Sequence, residues 1–111
     1  MSSKYGYVIA AVLLSAGASG TAFALDTKGA TDLMAKAACS ACHQTDKKLV
    51  GPSYKDVAGK YKGNARAAEL LAQKVRVGGM GTWGPIPMPP NPKEKISDDD
   101  LKQLIGWILS Q

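Results

Sequence analysis

The segment Cys39-Ser40-Ala41-Cys42-His43 sets two thiols three positions apart and follows them at once with the only histidine of the chain. One helical turn between the thiols lets both reach the vinyl-bearing edges of a porphyrin while the imidazole is presented to its iron. C-x-x-C-H is the pattern of c-type haem attachment. Other chemistries fit these residues less well. A redox-active dithiol wants a preceding strand within a thioredoxin-sized βαβ pattern, and the sequence has none. A structural zinc needs four ligands, and no further Cys or His exists to supply the fourth.

A single histidine excludes a bis-histidine haem, and attachment uses both cysteines. The second axial position is left to a methionine, to a lysine, or open. Three methionines follow residue 24: Met34, Met80 and Met88. Met34 lies only five residues before Cys39 on the same segment, too close to cross to the opposite haem face, and reads as core packing. Met80 and Met88 both have enough chain to cross. Glycines surround Met80, whereas Pro87 and Pro89-Pro90 restrict Met88 to an extended path with few alternatives. Because a thioether is a weak, neutral ligand, prior ordering of its backbone favours Met88, with Met80 and an open site as the alternatives.

These residues have to be delivered and held. The chain begins with Lys4, an apolar run from Tyr7 to Leu14, and small residues leading to Ala22-Phe23-Ala24. That order predicts a secretory signal peptide over residues 1–24, cut before Leu25. The apolar run is shorter than the roughly 20 residues a membrane span needs, which argues against a retained anchor. Residues 25–111 then form one domain of 87 residues. Removal of one lysine takes the formal charge from +5 to +4. A domain of this size buries a modest core and is often marginal without a staple. A covalent haem would supply an apolar centre and consume two thiols that otherwise tend to oxidise after export. The basic pI of about 9.3 comes with no nucleic-acid recognition motif, so no nucleic-acid partner is expected.

Local punctuation predicts four helices and no strand, an all-α fold. The first runs from about Thr31 to Ala38, capped by Thr31 or Thr27, with Ala35, Ala37 and Ala38 small enough for another helix to approach. Ser53 and Asp56 resemble a capping box for a short helix to about Lys60, after a turn at Val50-Gly51-Pro52. A third helix spans Ala65 to Val77, with Asn64 as cap, Gly78-Gly79 as stop, and Ala67, Leu70, Leu71, Val75 and Val77 as its apolar stripe. Ser97 caps the last helix, whose Asp98, Asp99 and Asp100 suit its dipole. Leu101, Leu104, Ile105, Ile108 and Leu109 make its buried face. Between the third and fourth helices, residues 78–92 hold too much Gly and Pro for regular structure and are too apolar for an ordinary solvated loop.

Taken together, Cys39 to His43, Val50-Gly51-Pro52, Trp83-Gly84-Pro85-Ile86-Pro87-Met88-Pro89-Pro90-Asn91 and a closing apolar helix with Trp107 resemble a class I cytochrome c of the small bacterial c-551 type. The resemblance covers essentially all of residues 25–111. It implies about four helices wrapped around one covalent haem c, thioethers at Cys39 and Cys42, and His43 and Met88 as axial iron ligands. It further implies that the Pro52 carbonyl fixes the His43 ring, that Trp83 donates to a haem propionate, that Asn91 orients the Met88 loop, and that Lys74 stands near a propionate. Met34 departs from the pattern, since such proteins place a larger aromatic there. With both axial positions filled no site remains for a substrate. The implied function is a soluble periplasmic carrier of single electrons, a monomer and not an enzyme, moving between a membrane cytochrome complex and a terminal reductase or oxidase. Lys47, Lys48, Lys55, Lys60 and Lys62 would give it a basic docking face. The alternatives are an open-site haem protein with peroxidase or gas-binding activity and, without haem, a disulfide oxidoreductase.

Overall fold

The computed structural model describes residue 11 and residues 25–111. Apart from that one position, the predicted signal peptide lies outside the described residues. Four helices follow in order: α1 (Thr27–Lys36), α2 (Tyr54–Tyr61), α3 (Ala67–Val77) and α4 (Asp98–Leu109), with a single 3₁₀ turn at Cys39–Ala41. The fold is mainly helical, and among the described residues there is no sheet. No described helix is long and apolar enough to cross a membrane.

Helix α4 organises the packing, because α1, α2 and α3 all contact it. Its Leu101, Leu104, Ile105, Trp107 and Ile108 are buried, and Ser97 caps it by accepting from the Asp100 N–H at 3.1 Å. In α2 the Ser53 hydroxyl accepts from the Asp56 N–H at 3.1 Å, and Tyr54 and Val57 are buried.

The structure redraws two boundaries. Helix α1 starts earlier than its threonines suggest, because Asp26 is the cap, its Oδ1 accepting from the Gly29 N–H at 2.7 Å. A carboxylate acceptor outranks threonine at such a position. Thr31 instead sits inside the helix and donates its hydroxyl to the Thr27 carbonyl. The same helix ends at Lys36, and Ala38 turns left-handed with φ of 63°. Ala30 and Ala37 are the small residues buried in the core, while Ala35 and Ala38 are exposed. Helix α3 begins at Ala67, and Asn64 works one step upstream by accepting from the Arg66 N–H at 2.9 Å. Its stripe is narrower than predicted: Leu70 and Val77 are exposed, while Ala67 is buried and Leu71 and Val75 pack partly buried against the core.

Candidate haem site

A deep, overwhelmingly apolar cleft opens between the 3₁₀ turn, α3, α4 and the Gly- and Pro-rich segment. Cys39, Cys42, His43, Pro52, Lys74, Trp83, Met88 and Asn91 all line it, together with Val57, Leu71, Val75 and Ile108. The cysteines stand on the 3₁₀ turn that the left-handed Ala38 sets off from α1. Burial pushes the Cys39 thiol above its ordinary range.

His43 is fixed from two sides. Its Nδ1 lies 2.7 Å from the Pro52 carbonyl, a contact that makes Nδ1 the protonated nitrogen and leaves Nε2 as the one able to bind a metal. Tyr54 stacks on the ring at 5.3 Å between centroids, and Trp107 meets Tyr54 edge-on at 6.1 Å. The Tyr54 hydroxyl is buried without a hydrogen-bond partner, and that burial raises its pKa far above the usual phenol range. Gly51 is needed for this arrangement, since a Cβ there would stand 2.5 Å from His43 Cε1. The Gly51 N–H in turn donates to the Cys42 carbonyl at 2.8 Å, closing the intervening loop.

Met88 is held by its backbone. Its N–H donates to the Gly79 carbonyl at 2.8 Å, and the Gly79 N–H donates back to the Met88 carbonyl at 3.0 Å. Gly78 and Gly79 have φ of 71° and 137°, which glycine adopts with least strain, and a Cβ on Gly78 would collide with the Met88 carbonyl. Asn91, 5% exposed, secures the other end: its N–H and Nδ2 both donate to the Val75 carbonyl, at 2.9 and 3.2 Å, and Nδ2 also donates to Pro89 at 3.1 Å. Met88 is half-buried whereas Met80 is 65% exposed at the lip of the same cleft. Met34 is buried in the core against α4.

The remaining predicted residues stand at the rim. Trp83 is 41% exposed, and Lys60 Nζ sits 5.3 Å from its ring centroid. Lys74 is half-buried, with Nζ close to Gly79. Lys55 is engaged in a 2.7 Å ion pair with Asp46, which takes it out of the free basic surface. Asp98 is paired with Arg76 and Lys93, and the Arg76 guanidinium together with the Lys93 ammonium holds its carboxyl below the usual range. Three contributors were not singled out from the sequence: Tyr54, which follows the Ser53 cap; Gly51, read only within the Val50-Gly51-Pro52 turn; and Arg76 near the end of α3.

Two thiols, an imidazole with one nitrogen tied back and a thioether share this apolar cleft, a donor set that fits a covalently bound porphyrin iron. The family model described as cytochrome c matches residues 27–111. Cytochrome c-551 of Pseudomonas aeruginosa is 55% identical over 73 residues, covering 66% of this chain and 67% of that protein. The crystal structure of wild-type Nitrosomonas europaea cytochrome c552 superposes with a TM-score of 0.66 at 50% identity, over 72% of this chain and 96% of that one. The class 1 cytochrome MtoD from Sideroxydans lithotrophicus ES-1 gives a TM-score of 0.69 at 38% identity, over 78% and 97% of the two chains. The chain thus belongs to the cytochrome c family, as a small class I c-type cytochrome with one covalently attached haem c.

Proposed function

We propose that this protein is an exported, periplasmic electron carrier whose haem iron is bound by His43 and Met88, with Cys39 and Cys42 forming the thioethers. The observation that carries the reading is the pairing, in one cleft, of an imidazole whose Nδ1 is already engaged with a methionine whose backbone is pinned at both its N–H and its carbonyl. When bound, the haem supplies a one-electron couple between ferrous and ferric iron. The chain's own work is to hold that iron and to exclude water from it. Pro52 fixes the proximal ring and strengthens its donation, since a hydrogen bond at Nδ1 raises the basicity of Nε2. A thioether donor from Met88 would raise the potential of a haem held here, and the apolar lining would act in the same direction by disfavouring the additional charge of the ferric state.

Electron exchange takes place at the mouth of the cleft, where Val50, Met80, Trp83 and Ile86 are exposed and Lys48 and Lys74 stand beside them. Lys47, Lys60 and Lys62 extend the positive surface. The surface suits a short-lived encounter with a redox protein whose own docking patch is acidic, the donor being a membrane cytochrome complex and the acceptor a terminal reductase or oxidase. The decisive measurement is the ferric sulfur-to-iron charge-transfer band. It disappears in Met88→Ala and persists in Met80→Ala; the opposite pattern, or ready carbon monoxide uptake by the ferrous wild type, would replace the carrier with an open-site haem protein.

A further inference from the structure

The last turn of α3 carries Arg76, a side chain only 20% exposed and aimed away from solvent. Its Nη1 donates to the carbonyls of Asn91, at 3.1 Å, and Ile96, at 2.7 Å. Its Nη2 donates to Asp98 Oδ1 at 2.7 Å, while Lys93 approaches the other oxygen of that carboxylate at 3.1 Å. All three acceptors lie downstream of Met88, on the short segment that leads from it into α4. A planar guanidinium with five donors is suited to this task; one lysine could not hold the three acceptors in the same rigid fork.

The hydrogen bonds that attach the Met88 segment to the end of α3 fall on three residues, Val75, Arg76 and Gly79. Gly79 grips Met88 itself, and Val75 accepts twice from Asn91. Arg76 ties Asn91 and Ile96 together and, beside Lys93, onward to the first residue of α4. We propose that Arg76 is the positioning residue for the sixth ligand, its guanidinium setting how readily Met88 leaves the iron; this rests on Met88 being that ligand. A bound thioether departs when its segment opens locally, and local opening is governed by the anchors of that segment more than by the whole core. Removal of Arg76 leaves two carbonyls without their donor on a segment whose flanking residues Asn91 and Ile96 are both buried, so the closed arrangement is weakened where it meets the ligand.

The experiment uses ferric, haem-loaded wild type, Arg76→Met, Arg76→Lys and Asp98→Asn, with imidazole as the competing ligand. Loss of the charge-transfer band reports Met88 displacement, and far-UV circular dichroism reports global folding, both at a temperature where every variant is fully helical. Apparent imidazole affinity rises about tenfold in Arg76→Met, because the open population rises by that factor. The rise is about threefold in Arg76→Lys, which keeps the charge and one donor, and about twofold in Asp98→Asn. A lowered Tm in Arg76→Met with imidazole affinity unchanged would make Arg76 a structural residue only and overturn the proposal. Should Arg76→Met fail to fold, Arg76→Lys decides by the same measure, an unchanged affinity again being the contrary result. Absence of the band from wild type would remove the Met88 assignment itself, a failure visible before any Arg76 variant is compared.

Discussion

Two glycines show how much a single side chain decides here. Gly51 lies against the His43 ring, where a methyl group would stand 2.5 Å from Cε1, and Gly59 faces open space on helix α2. The same substitution therefore has opposite signs at the two positions. Gly51→Ala forces either the imidazole or the turn to move and costs about 2 kcal/mol, as overpacking of a fitted site does. Gly59→Ala contributes about 0.5–1 kcal/mol by removing backbone freedom from the unfolded chain at a helical position. Denaturant unfolding of the haem-loaded protein checks both, and the His43 effect has a further signature: Gly51→Ala lowers the midpoint potential or broadens the charge-transfer band, whereas Gly59→Ala leaves both unchanged.

Between the first helix and the cysteines, the chain makes its turn at an alanine. Ala38 holds φ of 63°, a conformation that costs an L residue about 1 kcal/mol relative to glycine. Ala38→Gly is accordingly expected to stabilise the protein by about that amount, measured as a raised denaturant midpoint with unchanged slope. The elements themselves were largely legible in advance, because Ser53, Ser97 and the Gly78-Gly79 stop are local signals acting within a few residues. Scarcity of histidine and density of proline singled out His43 and Met88, the proposed ligands, and the fold brings both to one cleft. What local pattern hid was tertiary. Asp26, two residues past the predicted cleavage site, caps α1 in place of either threonine. Leu70 and Val77 fit the helical period yet lie exposed, because the period gives a face and not its width. Arg76 was invisible because its three acceptors stand 15 to 22 residues away in sequence.

At the level of the whole molecule, charge and apolar surface meet at one mouth. The formal charge of +4 over residues 25–111 is carried in part by exposed Lys47, Lys48, Lys60 and Lys62, and by Lys74 at the rim. Association with an acidic redox protein should slow about tenfold as ionic strength rises from ~0.01 to ~0.5 M, since the screening length shrinks from about 30 Å to a few ångström. Stopped-flow electron transfer measures it, and Lys48→Glu flattens the dependence; a rate indifferent to salt would show that lysines do not guide the encounter. The paired backbone of Gly79 and Met88 has a consequence of its own. Between those two posts the chain from Met80 to Pro87 makes a short hairpin, crossed by one bond from the Gly81 N–H to the Gly84 carbonyl, and it displays Met80, Trp83 and Ile86 outward. On the function proposed above, variation at the tip of this hairpin would redraw what the protein docks with while the posts keep the Met88 sulfur where it is, so that recognition and ligation would share one ribbon of chain and be free to evolve apart.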